Sequence, residues 1–243
     1  MNDNEQNYED FISTVSHELR TPLTSIRGFS QTMLASWDKL DDESKKKFLK
    51  IIEEQSNRLI KLVENMLSVT KLHSVNDNFI YKETDIKPVI NTVVSIVKNQ
   101  YKDKTFEVDI KSDTPTILVD RDRFQQIMTN LIENAAKYSN ENSTIHISAD
   151  FCNNCEFVAI KVTDTGIGIS KEDYEKIFEK FSRIDNPLTR KVQGSGLGLY
   201  ITRSLVEKMD GKIFVSSNDN QTTFEVQLPV CNIETQARLK CRQ

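Results

Sequence analysis

The stretch ISTVSHELRTPLTSIRGFSQTM, residues 12–33, has apolar residues or proline at alternating intervals of three and four. This is the spacing of a coiled-coil seam, because residues three and four apart lie on one face of a helix. Three heptads of this spacing predict a long helix with one apolar face. The seam positions are Ile12, Val15, Leu19, Pro22, Ile26, Phe29 and Met33.

A second helix with the same pattern follows a polar break, SWDKLDDES, at residues 36–44. Asp41 or Asp42 is placed to cap its first turn, since a carboxylate accepts hydrogen bonds from the free amides there. Each helix has an apolar stripe wider than one antiparallel neighbour would cover, so we expect a homodimer in which two hairpins form a four-helix bundle. The second seam is Phe48, Ile52, Gln55, Leu59, Leu62, Met66 and Val69, beside a parallel stripe at Leu49, Ile60, Val63 and Leu67.

The helical period stops in a polar stretch at residues 73–78, and strands then alternate with helices. Mixed strands with helices on one side predict an α/β sandwich. We divide the chain into a helical-hairpin domain over 1–75, an α/β domain over 76–230 and an unassigned tail over 231–243. The pattern predicts strands at 79–81, 106–110, 116–119, 144–149, 156–164 and twice after residue 211, and helices near 85–101, 122–138, up to about 178 and up to about 209.

Cys152 and Cys155 form a C-x-x-C, a spacing that metal and redox sites use. They flank two asparagines between two alternating segments, so we expect the two ends of a hairpin turn. The four cysteines of the chain are too scattered for a disulfide framework, which fits a reducing compartment.

Composition excludes several classes of protein. With 36 acidic and 32 basic residues, the net charge is −4 and no half of the chain is basic enough to predict nucleic-acid binding. No apolar run approaches the roughly 18 residues that span a bilayer, and the polar N-terminus does not resemble a signal peptide. We therefore expect a cytoplasmic location without membrane contact by these residues, although a longer parent protein could be membrane-anchored.

Glycine is scarce but concentrated, since five of seven glycines lie between residues 166 and 198. One group follows a predicted strand at Asp164-Thr-Gly-Ile-Gly, and the other, at 194–199, opens a predicted helix whose amides can hold phosphates. Asn130 and Asn134 share a helix face, and an amide oxygen can complete the shell of a Mg²⁺ ion that carries a triphosphate. No Walker sequence is present, and the second glycine group lacks the βαβ context of a Rossmann site.

His17 occupies the outermost position of the first helix and should be exposed. Glu18 can polarise or accept a proton from the imidazole, and Thr21 lies one turn further along. A lone exposed histidine on a helix is usually a solvated residue, so these neighbours alone do not assign a function to it.

The chain resembles the cytoplasmic catalytic portion of two-component sensor histidine kinases in five ordered motifs. Phe11 to Leu23 is similar to the H-box and Asp120 to Ser139 to the N-box. Asp164 to Gly168 resembles the G1 box, Phe178 to Arg183 the F-box and Gly194 to Leu199 the G2 box. The resemblance implies a helical-hairpin dimerisation domain and a Bergerat-fold ATP-binding domain.

The resemblance also implies roles for the H-box residues. His17 would attack the γ-phosphate of ATP, Glu18 would act as the adjacent base, and Thr21 would position water to dephosphorylate a partner. The chain would be a protein histidine kinase that passes its phosphoryl group to an aspartate in the receiver domain of a response regulator. A non-catalytic nucleotide-binding module and a Bergerat-fold ATPase without phosphotransfer are the alternatives.

The remaining motifs imply a site for ATP and Mg²⁺. The resemblance implies that Asn134 binds the metal with support from Asn130. At the base, it implies Asp164 at the adenine amino group, with Gly166 and Gly168 around the ring. At the phosphates, it implies Lys137, Tyr138 and Arg183, beside a turn formed by Gly194, Gly196, Leu197 and Gly198 and a lid over 182–193.

Overall fold

The computed structural model describes residues 3–72, 74, 79–152, 156–184, 194–218 and 221–232, with side chains from Ile12 onwards. The chain divides into two compact units after Lys71. Four features of the sequence fall outside the described residues: the polar stretch at 73–78 apart from Ser74, the second cysteine of the C-x-x-C, most of the 182–193 lid, and the end of the tail.

The first unit is a helical hairpin. Helix α1 spans Asp3–Ser36, a 3-10 turn spans Trp37–Lys39, and helix α2 spans Asp42–Leu72. Asp41 accepts a hydrogen bond from the backbone N–H of Ser44 at 2.6 Å, so it is the cap of α2. Phe29 packs on Phe48 with ring centroids 5.2 Å apart, close to the turn, as an antiparallel pair requires.

The apolar stripe of α2 is only partly covered within one chain. Leu62 and Val69 of α2 are buried, and so is Met33 of α1. The parallel stripe remains exposed by 42 to 55%, at Leu49, Ile60, Val63 and Leu67. The stripe is thus wider than the contact within one hairpin, as the sequence indicates. None of the helices in the described part of the chain is long and apolar enough to cross a membrane.

The second unit contains a five-stranded mixed sheet and a two-stranded antiparallel sheet. The elements are β1 Tyr81–Thr84, α3 Ile86–Gln100, β2 Thr105–Ile110, β3 Ile117–Asp120, α4 Arg121–Tyr138, β4 Thr144–Cys152, β5 Phe157–Asp164, α5 Gly198–Lys208, β6 Lys212–Asn218 and β7 Gln221–Pro229. The large sheet has the order β2-β4-β5-β7-β6, in which only the β2–β4 pair is parallel, and β1 pairs with β3.

The large sheet has one buried face and one polar face. Alternate residues such as Ile147, Ile160 and Val226 are buried under the helices, because side chains of a strand point to opposite faces in turn. The other face has polar pairs across neighbouring strands: Glu107 with His146 at 3.0 Å, Lys161 with Glu225 at 3.5 Å and Thr163 with Thr223 at 2.9 Å. The predicted two-layer α/β sandwich with helices on one face is confirmed.

Two predicted elements were wrong in detail. The strand expected at 79–81 begins only at Tyr81, where it meets Asp120 of β3, and Phe79 instead stacks on Tyr81. The helix expected up to Phe178 is two separate 3-10 turns, at Lys171–Asp173 and Lys176–Phe178. Between these turns, the Tyr174 hydroxyl is hydrogen-bonded to the backbone of Ser217, which holds this segment against β6 and interrupts a continuous helix.

The antiparallel strand pair expected on either side of the C-x-x-C is confirmed, while residues 153–155 of the expected turn lie outside the described residues. Strands β4 and β5 are antiparallel, with Cys152 opposite Phe157 at the end of the pairing. Among the described residues, no group of three or more histidine, cysteine, aspartate or glutamate side chains could hold a metal ion.

Candidate nucleotide and phosphoacceptor sites

Helix α4 carries the N-box residues on one stripe. Asp120 caps the helix by accepting hydrogen bonds from the backbone N–H groups of Asp122 and Arg123, both at 3.1 Å. Seven apolar side chains, from Phe124 to Ala136, are buried and fix which face of α4 points away from the core. A stripe along one border of this buried face carries four half-buried residues at helical spacing: Asn130, Asn134, Lys137 and Tyr138.

Asn130 joins α4 to the start of α5. Its side-chain Nδ2 donates to the carbonyl oxygen of Gly198 at 3.2 Å and lies 3.3 Å from Oγ1 of Thr202, which is fully buried. The N-box and the G2 turn are therefore held together directly. The sequence indicated the two motifs separately, and Thr202 was not recognised.

Asp164 is a buried carboxyl at the end of β5. Its exposed fraction is 4%, and burial raises its pKa to about 7. Burial disfavours the carboxylate unless a ligand donates a hydrogen bond to it. An amino group of a base would do so, since it presents N–H donors.

The turn after Asp164 is closed by backbone contacts that require glycine. A side chain at Gly166 would collide with the carbonyl oxygen of Tyr138, where Gly166 forms a bridge with Ser139. Gly168 has a φ of +72°, a conformation that favours glycine. Just beyond it, the backbone N–H of Ile169 donates to Oγ of Ser217 at 3.0 Å.

The G2 turn packs on the F-box backbone. Gly196 has a φ of +68°, and a Cβ atom there would lie 2.6 Å from the carbonyl carbon of Phe181. Leu197 is fully buried and anchors the turn, and α5 begins at Gly198. The first N–H groups of α5, like those at the start of any helix, lack intrahelical partners and are donors of the kind that bind an anion.

A basic corner lies beside this turn and consists of Lys137, Tyr138, Arg183 and Gly194. Nζ of Lys137 lies 5.3 Å from the centroid of the Tyr138 ring and 3.0 Å from where a Cβ atom of Gly194 would be. Burial raises the pKa of the Tyr138 hydroxyl, and the nearby charge of Arg183 opposes this shift. Residues from the N-box, F-box and G2 box thus meet at one place.

These features fit a nucleotide with its base and phosphates at opposite ends. The buried Asp164 and its glycine turn provide one end, and the basic corner with the start of α5 provides the other. Asn134 is half-buried on the same stripe of α4 and supplies an amide oxygen, a ligand type that Mg²⁺ accepts.

The H-box residues lie on α1, which runs without interruption through Pro22. His17 is exposed, as predicted, and its carbonyl oxygen accepts a hydrogen bond from Oγ1 of Thr21 at 3.3 Å. Oε2 of Glu18 lies 3.3 Å from Nη2 of Arg58 on α2, and both side chains are about one quarter exposed, at 24 and 22%. Arg58 is 40 residues from Glu18, so no local pattern could have identified it.

Two families match these two units. The family described as "Histidine kinase-, DNA gyrase B-, and HSP90-like ATPase" matches residues 119–232. The family described as "His Kinase A (phospho-acceptor) domain" matches residues 8–74.

Curated proteins match almost the whole chain. It is 36% identical to the signal transduction histidine-protein kinase ArlS of Staphylococcus haemolyticus over 89% of this chain and 47% of that protein. It is 34% identical to the sensor protein kinase WalK of Staphylococcus aureus over 95% of this chain and 55% of that protein. The chain therefore spans about half the length of these relatives.

A solved structure has the same fold. It is histidine kinase ThkA in complex with response regulator protein TrrA, with a TM-score of 0.72 and 26% identity, covering 91% of this chain and 61% of that one. The two matched families, the named kinases and the shared fold agree with the five motifs. The chain belongs to the two-component sensor histidine kinases, of which it carries the phosphoacceptor and ATPase regions.

Proposed function

We propose that this region is a kinase core that transfers the γ-phosphoryl group of ATP to His17 and then to an aspartate of a response regulator. The observation that carries the proposal is the meeting of residues from four separate motifs beside α4, in a chain whose other unit exposes His17 next to Glu18. Because ATP is a cytoplasmic substrate, we place this region in the cytoplasm.

Phosphoryl transfer to His17 forms one bond and breaks one. A ring nitrogen of His17 attacks the γ-phosphorus, the bond from that phosphorus to the bridging oxygen breaks, and ADP leaves with the electron pair. Glu18 accepts the proton from the imidazole, held in place by Arg58 at 3.3 Å. Asn134 would hold Mg²⁺, which neutralises triphosphate charge when bound.

The nucleotide residues position ATP rather than react with it. Asp164 would accept a hydrogen bond from the adenine amino group, while Lys137, Arg183 and the start of α5 would hold the phosphates. Fixed positive groups at the phosphate end stabilise the charge that shifts to the leaving oxygen.

The second transfer goes to a separate protein. A phosphoryl group on an exposed imidazole is accessible to an aspartate of a receiver domain, and the related kinase ThkA is described in complex with a response regulator. Thr21 lies one turn from His17, where its hydroxyl would position water for dephosphorylation of the regulator. The exposed apolar stripe of α2 supports a homodimer.

Incubation with γ-labelled ATP and Mg²⁺ tests the proposal. We expect acid-labile label on the wild-type chain, transfer of that label to a cognate receiver domain, and no label on His17→Gln, which still binds ATP. The matched control is His146→Gln, since His146 is also exposed but lies on the polar face of the sheet. Label on His17→Gln, or steady ATP hydrolysis without a phosphoprotein, would contradict the proposal.

A further inference from the structure

Lys104 is a buried lysine that the proposed reaction does not use. Its side chain is only 5% exposed, immediately before β2. Nζ of Lys104 lies 2.8 Å from Oδ2 of Asp103, 2.7 Å from the carbonyl oxygen of Asn140 and 3.4 Å from that of Ser139. A buried ammonium group is costly unless it is paired and hydrogen-bonded, so these oxygens are the reason that it is tolerated.

The two carbonyl groups belong to the two residues that directly follow the N-box helix α4. Ser139 is the residue that follows α4, and its backbone N–H still donates to the carbonyl oxygen of Ala135. The last carbonyl groups of a helix lack intrahelical partners and carry partial negative charge. The Lys104 ammonium therefore fixes the direction in which the chain leaves α4.

The same two residues hold the turn that follows Asp164. The backbone N–H of Asn140 donates to the carbonyl oxygen of Thr165 at 2.9 Å, and Ser139 forms a bridge with Gly166. The carbonyl oxygens of Ser139 and Asn140 thus contact the Lys104 ammonium group. The backbone of the same two residues also contacts Thr165 and Gly166, which directly follow Asp164. This short segment therefore connects Lys104 directly to the turn after Asp164.

We infer that Lys104 is a positioning residue for the nucleotide base, acting through Ser139 and Asn140 on the turn at Thr165 and Gly166. This inference rests on the proposed function, because it assumes that Asp164 receives the base. The pairing of β2 with β4 holds six residue pairs in register without the ammonium group. Removing the charge should therefore loosen the segment while the sheet stays formed.

The decisive comparison is the affinity of Lys104→Met for ATP and for GTP, each with Mg²⁺. Since Asp164 would accept a hydrogen bond from the 6-amino group of adenine, where guanine has a carbonyl oxygen, a displaced turn should weaken ATP binding about fivefold and leave the weak GTP binding unchanged. Lys104→Arg should restore most of the preference for ATP because it retains a cation with several donors. The matched control is Lys102→Met, an exposed lysine two residues earlier, which should bind ATP like the wild type.

Hydrogen exchange provides a readout that needs no nucleotide. The amide of Asn140 should exchange faster in Lys104→Met than in Lys102→Met, while the amides of β4 stay protected. If Lys104→Met does not fold, Lys104→Gln serves instead, because it removes the charge but keeps a donor.

Each remaining outcome overturns the inference. An unchanged ATP affinity, an equal loss for ATP and GTP, or unchanged exchange at Asn140 would each show that Lys104 only stabilises the fold. If the wild-type chain binds neither nucleotide, the proposed function fails, and this inference falls with it. If the wild-type chain prefers ATP and Lys104→Met retains the same preference, the proposed function stands without the inference.

Discussion

The side-chain amide of Asn130 donates to the carbonyl oxygen of Gly198, 3.2 Å away, so the helix that carries the N-box is joined to the first residue of α5. This contact bridges 68 residues of sequence. Together with the approach of the same Nδ2 to Oγ1 of Thr202 at 3.3 Å, it holds the helix of the proposed metal residue, Asn134, against the start of α5, where the phosphates are proposed to bind.

Asn130→Asp should weaken ATP binding by about tenfold, because it replaces a donor with a negatively charged acceptor opposite a carbonyl oxygen. Calorimetric titration with ATP measures the loss. Asn99→Asp is the matched control, since Asn99 is exposed near the end of α3. Equal affinities for the two variants would show that the Asn130 contact does not shape the site.

Gly196→Ala and Gly198→Ala should differ, although they alter the same turn. A Cβ atom at Gly196 would press on the Phe181 backbone at 2.6 Å with a strained φ of +68°, whereas one at Gly198 would meet Asn130 at an ordinary 3.5 Å. We expect Gly196→Ala to weaken ATP binding by more than about tenfold and Gly198→Ala by less than about threefold.

Gly28→Ala controls for the substitution itself, since nothing lies within 4 Å of a Cβ atom at that position in α1. It should leave ATP affinity unchanged and stabilise the helix by about 1 kcal/mol. Thermal melting of all three variants separates the loss of binding from the loss of folding. Comparable affinities for the Gly196 and Gly198 variants would rule out the proposed packing.

The stability of the ATPase region should fall as pH rises towards 7 because of Asp164. Its pKa is raised from 3.8 to about 7 in the folded protein, so between these values the folded state keeps a proton that the unfolded state releases. The penalty is absent at about pH 4 and complete at about pH 8. Asp164→Asn, which cannot ionise, should therefore raise the melting temperature at about pH 8 and not at about pH 4.

The same substitution should weaken ATP binding, because the adenine amino group would lose a carboxylate acceptor. Binding to the wild type should tighten as pH rises through 7, since the bound amino group favours the ionised carboxyl. The ionisation of ATP itself is common to both proteins, so the difference between their pH profiles reports Asp164. Identical profiles would remove Asp164 from the base site.

Arg58→Met should slow phosphorylation of His17 without changing ATP affinity. Arg58 holds Glu18 at 3.3 Å, and a base that is free to rotate spends less time beside the imidazole. We expect a decrease of about tenfold in the rate at saturating ATP, measured as label incorporated per minute. Lys50→Met, an exposed cation on the same helix, should have the wild-type rate. A parallel loss of ATP affinity would refute this assignment.

Ile60→Glu should convert the proposed homodimer to single chains. Ile60 belongs to the apolar stripe of α2 and is itself 55% exposed in one chain, and a carboxylate there cannot be buried against a second copy without a large cost. Analytical ultracentrifugation measures the mass directly. Ile80→Glu, at a position 63% exposed in the other unit, should remain dimeric. A wild-type chain that sediments as a monomer would exclude the bundle.

The helices and strands were predictable because their signals are local. The helix predicted near 85–101 is α3, and its five buried residues, from Ile86 to Val97, recur at the spacing of one helix face. Period 3.6 and period 2 are both visible within ten residues of sequence. The two errors occurred at Phe79 and Tyr174, whose side chains contact residues far away in the sequence: the centroid of the Phe79 ring lies 5.8 Å from Cζ of Arg123, and the Tyr174 hydroxyl is hydrogen-bonded to the backbone of Ser217.

The contacts that shape the candidate sites could not be predicted from local sequence. Asn130 reaches Thr202 across 72 residues, Tyr174 reaches Ser217 across 43, and Lys104 reaches Asn140 across 36. No periodicity links residues so far apart. The motifs identified which residues are involved, while the three-dimensional structure supplies their partners, including a lysine at a position where burial alone would favour an apolar side chain.

The polar face of the sheet has a practical consequence. Residues such as His146 and Glu225 lie on the same strands that support the nucleotide site, yet their side chains face away from α4 and the core. At strand positions of this kind the backbone is held rigidly by the sheet, while a change of side chain is tolerated because it does not enter the core. A spectroscopic label attached there would report the orientation of the ATPase region without disturbing the chemistry that it is meant to follow.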